Sequence, residues 1–455
     1  MNEDEFFEEM RDGSLVLHFL KICVKQDLQN GITLNGHGQL KVNINGALHI
    51  EMVCTDSAGY NCYLGQAIFP KDPFDASQML HLSAISLNGI EFTSSGFSIR
   101  KNVFYSENFL IDISLACIEW LPDRPTSFKH KTYLKFEVAE SCAPPPNKVN
   151  TIINSLGSER SDWNQCLVEL ADYDCSISIV NQDSYVEVHA KGDFDIEEVY
   201  QALAFYLGIT SGRLPQPYAI LRREEDFQKL QLRSVSKMLR SGSMPAPFPK
   251  LIAGSEWPSA HYEILQNMLE IKKNFPERFS STYAQWLRVW HAHRSDPNVT
   301  ALTLSVAIEG ILNDIYIPHL ASRNEDPKLD NIKSTIIEQL KTLKMDESHA
   351  KTLIDSVTRW GNIHPKKALS ILVDKELVRA TEKKSWVDLR GASAHPKSSE
   401  ISKKVTPKQF ERIGDCLTLF YKLTLHVYRY KGPHTEYGIP HTPPLVQSDY
   451  FNVLE

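Results

Sequence analysis

Between residues 30 and 140 apolar and polar positions alternate with a period of two, as in strands with one buried face. Leu40, Val42 and Ile44 alternate with polar neighbours, Asn45-Gly46 supplies a tight turn, and Leu48, Ile50 and Met52 resume the alternation. Ile85 to Phe92 repeats the device around Asn88-Gly89, and Phe109 to Trp120 and Tyr133 to Val138 read as further strands. Residues 5–29 read as an initial helix or strand pair. Short strands at this spacing predict an antiparallel β-rich domain, sandwich or barrel-like, over 1–142.

Ala143-Pro144-Pro145-Pro146-Asn147 interrupts the alternation and predicts a linker. A small α+β unit is expected over 150–240. In it Cys175–Val180 and Tyr185–Val188 form a hairpin, and Asp195 caps a helix from Ile196 to Leu207 that Gly208 ends. Residues 241–254, rich in Ser, Gly and Pro, predict a second linker. Beyond 258 the period becomes helical. Tyr262, Leu265, Met268 and Leu269 share one face, as do Tyr283, Trp286, Leu287 and Trp290. Leu302 to Ile315 makes a long, largely buried helix ended near Pro318. Thr406-Pro407 opens the last helix, which Phe410, Ile413, Leu417, Phe420 and Tyr421 carry to about 430. The expectation is an all-α domain of six or seven helices over 256–432 and an irregular tail over 433–455. The fold class is thus multidomain α+β.

The composition, 42% hydrophobic and 23% charged, is that of an ordinary globular protein. No Cys-x-x-Cys spacing occurs among the eight cysteines, so neither a zinc knuckle nor a dense disulfide framework is indicated. The acidic start Met1-Asn2-Glu3-Asp4-Glu5 is unlike a signal peptide, and no long uninterrupted apolar run predicts a membrane span. Reduced thiols in the cytoplasm, with no membrane partner, are the expectation. Phosphate-loop, dinucleotide-binding, zinc-protease and nucleophile-elbow motifs are absent, and no cofactor or metal is implied. The net charge of −7 hides an asymmetry. Residues 1–140 hold 11 basic and 18 acidic residues, whereas residues 341–405 hold 14 basic and 8 acidic. The basic excess points to an anionic ligand in the C-terminal region, although a solvated basic face has the same composition.

That region carries the candidate chemistry. Arg-x4-His is expected about 0.6 times by chance in such a chain, and it occurs four times: Arg288–His293, Arg359–His364, Arg390–His395 and Arg429–His434. Arginine offers a planar, permanently charged phosphate donor, and histidine titrates near neutrality. Together they can cleave RNA without a metal. Arg288–His293 lies on a packing face and Arg429–His434 runs past the last helix. Arg390–His395 encloses the small residues Gly391, Ala392, Ser393 and Ala394, with Trp386 and Leu389 anchoring the preceding turn. Five residues on an ideal helix separate side chains by roughly 140°, so the pair converges within one chain only if the helix ends or bends, which Gly391 and Pro396 allow. Arg359–His364, followed by Lys366 and Lys367 and containing Trp360, remains the rival site.

Two pieces of the C-terminal region resemble the HEPN family. One is the helix Ala301–Leu312 with its internal Glu309. The other is Trp386-x-x-Leu389-Arg390-x4-His395 before the final helix. Combined with a β-rich N-terminal half, the layout resembles the ApeA-like anti-phage (abortive infection) proteins. The resemblance implies a HEPN-like helical bundle and a metal-independent endoribonuclease. Its site forms in a homodimer through the C-terminal helical domain. Arg390 would hold the scissile phosphate and His395 would move protons. Products would carry a 2′,3′-cyclic phosphate and a 5′-hydroxyl, and RNA, with tRNA among the candidates, would be the substrate. The N-terminal domains would sense a phage-derived trigger. Gly391 and Pro396 depart from the family pattern, which often has a polar residue after the Arg and Gly after the His. Two other readings remain open. One is a non-catalytic helical RNA- or protein-binding module that dimerises. The other is a β-domain ligand receptor whose helices only dimerise.

Overall fold

The computed structural model describes residues 2–27, 31–58, 79–97, 99, 108–122, 130–153, 159–170, 174–225, 227–248, 257–323, 327–343, 345–394, 406–438, 445–447 and 454. The chain forms two compact units, Met1–Ser243 and Met244–Glu455.

The first unit opens with helix α1 (Glu3–Asp12), followed by strands β1 (Val16–Gln26), β2 (Thr33–Val42), β3 (Leu48–Ala58), β4 (Leu80–Ser86), β5 (Glu91–Phe97), β6 (Phe109–Leu115), β7 (Cys117–Trp120) and β8 (Thr132–Ala139). It continues with β9 (Lys148–Ile153), β10 (Glu159–Leu170), β11 (Cys175–Asn181), β12 (Tyr185–Gly192), α2 (Ile196–Ser211), β13 (Ala219–Arg223), β14 (Gln228–Arg233) and α3 (Lys237–Ser241). All fourteen strands join one antiparallel sheet, ordered β6-β3-β2-β1-β4-β5-β7-β14-β13-β8-β12-β11-β10-β9. The expected break at Ala143–Asn147 therefore does not separate two domains. β7 and β8 precede it, yet they pair with β14, β13 and β12, which follow it. Ladder partners distant in sequence bridge the proline run, which local composition cannot reveal.

Alternation is kept in the burial of β3, β4 and β6, in which every second residue faces one core. Phe6, Phe7 and Met10 of α1 are buried in that core, with the Phe6 ring 5.3 Å from Trp120 and 6.1 Å from Phe92. Ile99 bridges to Ile113 of β6, so the sheet curls towards closure beyond β5. β8 is buried on both faces. Lys135 lies over the Phe7 ring of α1 on one side, and Phe136 meets Tyr200 of α2 edge-on on the other. Asp195 caps α2 by accepting from the Glu198 N–H at 2.9 Å, as expected from its position. The helix does not stop at Gly208 but runs to Ser211 and ends at Gly212, with φ 68°. Tertiary burial of Leu207, Gly208 and Ile209 holds the extra turn.

Gly36 and Gly38 of β2 have a steric role. A Cβ on Gly38 would lie 2.0 Å from the Glu51 carbonyl oxygen of β3. Gly38→Ala is therefore expected to destabilise the sheet by about 1–3 kcal/mol, read as a lower urea midpoint. An unchanged midpoint would show that the strands separate without loss.

The second unit contains α4 (Trp257–Asn274), α5 (Pro276–His293), α6 (Pro297–Ile311), a π-helical turn (Leu312–Tyr316), α7 (Ile317–Arg323), α8 (Pro327–Thr342), α9 (Glu347–Thr358), α10 (Pro365–Asp374), α11 (Ala380–Ala394) and α12 (Pro407–Val427). α6 packs against α5, α11 and α12, around the buried Trp286, Trp290, Trp386, Tyr316, Phe420 and Tyr421. The expected stop at Pro318 is overridden. The Ile317 N–H bonds back to the Leu312 carbonyl in the wider π-turn, and the chain stays helical past the proline. The continuous helix Pro297–Ser322 is long and apolar enough to cross a membrane, but 56% of its apolar 18-residue stretch is buried inside the protein, as in a core helix. α8 and α9 pack chiefly on one another. The tail, expected to be irregular, contains the short pair β15 (Pro433–Thr435) and β16 (Leu445–Gln447).

Candidate functional site

α11 buries Glu382, Ser385, Trp386 and Leu389 and turns Arg390 outward. Its placement follows from two rungs to α6. The Trp386 indole N–H donates to the Ser305 carbonyl at 3.0 Å, and Arg390 pairs with Glu309. On each helix the two contacting residues stand four apart, about one turn. The Arg390 pair is bidentate, Nε to Oε2 and Nη2 to Oε1, both at 2.8 Å. The guanidinium also lies 5.7 Å from the Trp386 ring centroid. Its side chain is 50% exposed. Glu309 occupies the Nε–Nη2 edge, and Nη1 has no partner among the described residues. A planar guanidinium held this way keeps a second edge for an oxyanion.

Asp388 is not Arg390's partner. It accepts from Arg412 of α12 at 2.7 Å. α11 remains helical through Gly391 to Ala394, so the bend allowed at Gly391 does not occur, and a Cβ there would meet nothing within 4 Å. His395 lies outside the described residues, as does Pro396.

The other three pairs are engaged differently. Arg288 donates to Gln285 at 3.3 Å, and burial lowers the pKa of His293. Arg429 pairs with Glu270 at 2.8 Å, whereas His434 is buried in β15, its pKa pushed down to about 4 by burial and then by Lys422. Arg359 ends α9 and His364 caps α10, with its Nδ1 accepting from the Lys367 N–H at 3.3 Å. Both are exposed.

Two features escape the sequence pattern. Val299, Leu302 and Val306 form an exposed apolar stripe on α6, spaced three and four residues apart and continuing to Glu309 and the exposed Asn313. Phe410 is exposed near its start, where Gln409 of α12 donates to Asn298 at 2.9 Å. α6 is apolar nearly all round, so no polar face marks the side left in solvent. Beneath α11 lies an ionic tetrad with both carboxylates buried, Lys422 mostly buried and Arg379 part-exposed. Glu382 and Glu436 each hold both Arg379 and Lys422, at 2.8–3.1 Å.

A titratable cluster also lies under α1 in the first unit. Tyr133 and His189 share a 2.8 Å hydrogen bond, His189 lies 3.2 Å from Glu187, and Lys135 bridges Glu187 at 3.0 Å and Asp4 of α1 at 2.8 Å. Burial pushes the Tyr133 phenol up to about 12, which makes it a poor nucleophile. His189 is thus part of a network. Burial alone would raise Glu187, but His189 and Lys135 outweigh it and hold the carboxyl at about 2. A lowered folded value means stability that is present above the ordinary carboxylate range and lost as pH falls towards about 2. The difference in urea midpoint between wild type and Glu187→Gln is therefore expected to be full at pH 6 and to shrink on acidification through that window. A pH-independent difference would exclude this linkage.

Among the described residues, no group of three or more His, Cys, Asp or Glu side chains could hold a metal ion. The described cysteines are free, and burial raises the thiol pKa of Cys166 and Cys175 to about 12, which leaves no thiolate nucleophile there. Compared with protein-family models, curated proteins and solved structures, the chain matches none.

Proposed function

We propose that the chain is a metal-independent endoribonuclease of HEPN type, acting in anti-phage defence, with Arg390 and His395 as its catalytic pair. One observation carries this reading. The Arg390 guanidinium is clamped by Glu309 along one edge and stays half-exposed with the other edge open, beside the apolar stripe of α6. A second copy seated on Val299, Leu302 and Val306 would bury that stripe and bring two Arg390 side chains to one interface. In the reaction the ribose 2′-oxygen attacks phosphorus, its proton passes to one His395, and the bond to the 5′-oxygen breaks as the partner's His395 supplies a proton. Arg390 stabilises the charge that develops on the phosphoryl oxygens. The products are a 2′,3′-cyclic phosphate and a 5′-hydroxyl. In this reading the first unit responds to a phage-derived trigger and restrains the cut until then.

The test incubates the full chain with RNA in EDTA, alone and with extract from phage-infected cells, and sequences cyclic-phosphate ends. Intact RNA in both arms, or cutting that EDTA abolishes, rejects the reading. The Glu309–Arg390 pair also favours a second reading, a dimerising RNA- or protein-binding module in which that pair is purely structural. RNA affinity without cleavage would select it.

A further inference from the structure

The rival pair Arg359–His364 need not be idle because it is not the cutting site. Its turn joins α9 to α10 and is ordered by its own backbone. The Trp360 N–H bonds to the Val357 carbonyl at 3.0 Å, and the Asn362 N–H to the Arg359 carbonyl at 3.1 Å. Gly361 sits at φ 78°, and a Cβ there would lie 2.5 Å from Leu329 Cδ2 of α8, so the turn is pressed onto that helix. The half-buried Leu329 lies at the base of the turn.

This platform presents an unusual combination. Trp360 is 44% exposed, although indole is a strong core former and Trp286, Trp290 and Trp386 of the same unit are all buried. Arg359, His364, Lys366 and Lys367, within seven residues of it in the chain, are all exposed, and none is paired with a carboxylate among the described residues. Lys366 and Lys367 stand in the first turn of α10, where the helix dipole adds to their positive potential. His364 has its Nδ1 committed to the cap, which leaves Nε2 as the outward atom. The nearest acidic neighbour along the chain, Asp355, stands one helical turn before Arg359. A lone exposed tryptophan needs no explanation, nor does a lone lysine pair. An exposed ring with unneutralised cations close by in the chain has the two elements that a single strand requires, a stacking surface and backbone counter-charges.

We infer that the α9–α10 turn is a binding site for single-stranded RNA, with an unpaired base stacked on Trp360 and adjacent phosphates held by Arg359, Lys366 and Lys367. The choice of RNA rests on the proposed nuclease function, while the stacking and charge geometry stands by itself. A duplex hides its base faces, so the site prefers single strands.

The experiment measures fluorescence anisotropy of the full chain with a labelled, unstructured 2′-O-methyl RNA about twelve nucleotides long. The methyl group blocks in-line attack, so binding is read whether or not the protein cuts. Trp360→Ala is expected to weaken binding about tenfold to a hundredfold, and Trp360→Phe to keep most of the affinity. Lys366→Gln with Lys367→Gln is expected to flatten the salt dependence, by about 0.7 in slope for each phosphate no longer neutralised. No binding by wild type, equal affinity of the folded Trp360→Ala protein, or a preference for duplex RNA each overturns the site. If unmodified RNA is never cut while Trp360 still governs affinity, the nuclease reading fails and this site stands.

Discussion

Alanine in place of Arg390 is expected to slow RNA cleavage about a hundred- to a thousand-fold, the size of losing one preorganised donor to a developing oxyanion. His395→Ala is expected to cost about as much or more, within the roughly 10²–10⁴ range of a positioned acid–base group. The loss with Arg390→Ala should not come from unfolding. Arg390 is half-exposed, and an exposed ion pair contributes at most about 1 kcal/mol. Lysine at 390 keeps the charge but lacks the planar fork that lets one group grip Glu309 and a phosphate at once, so it should recover little. Glu309→Gln is the informative intermediate. Its amide still accepts from Arg390 at one oxygen but loses the bidentate clamp, so turnover should fall less than with Arg390→Ala. Cleavage at the wild-type rate by both Arg390→Ala and His395→Ala would remove these residues from the mechanism.

The largest stability effect is expected at Glu382. This carboxylate is fully buried and accepts from the Arg379 backbone N–H at 2.9 Å, the Arg379 Nε at 3.1 Å and the Lys422 Nζ at 2.9 Å. Glu436, also buried, balances the same two cations. Glu382→Ala leaves two positive groups against one carboxylate, and of the two only Lys422 is shielded from water. Breaking a buried pair from one side costs about 3–5 kcal/mol, which in a unit of this size lowers the melting temperature by roughly 6–20 °C. Arg412→Ala is the control. Its partner Asp388 is about one-third exposed, and the expected loss is below about 1 kcal/mol. The two variants together separate burial from mere pairing, and equal melting temperatures would show that the tetrad is better hydrated than its exposure implies.

The tetrad also shows why the site is only partly legible in the sequence. Glu382 and Lys422 read as surface residues on amphipathic helices, and only the approach of the tail at Glu436 makes them internal. Glu309 can be named from α6, but its bidentate grip on Arg390 depends on how α6 and α11 pack, fixed in part by the Trp386–Ser305 bond eighty-one residues apart in the chain. A break at Gly391 is what local backbone preference alone suggests. Glycine costs a helix about 1 kcal/mol, and the buried Trp386 and Leu389 outweigh that.

What the chain specifies by itself is what depends on near neighbours. The hairpins at Asn45-Gly46 and Asn88-Gly89, the cap at Asp195 and the change from alternating to helical period near 258 all rest on interactions a few residues long. Tertiary structure alone decided that β7 and β8 join strands beyond the proline run, making one sheet where two domains were expected. It also decided which side of α6 stays in solvent, and that of four equal Arg-x4-His spacings Arg429–His434 carries a buried histidine while Arg359–His364 stands in an open turn. The physical reason is the same throughout. Turn and cap energies are fixed by local backbone geometry, whereas burial, pairing and exposure are properties of surfaces that meet only after the chain has folded.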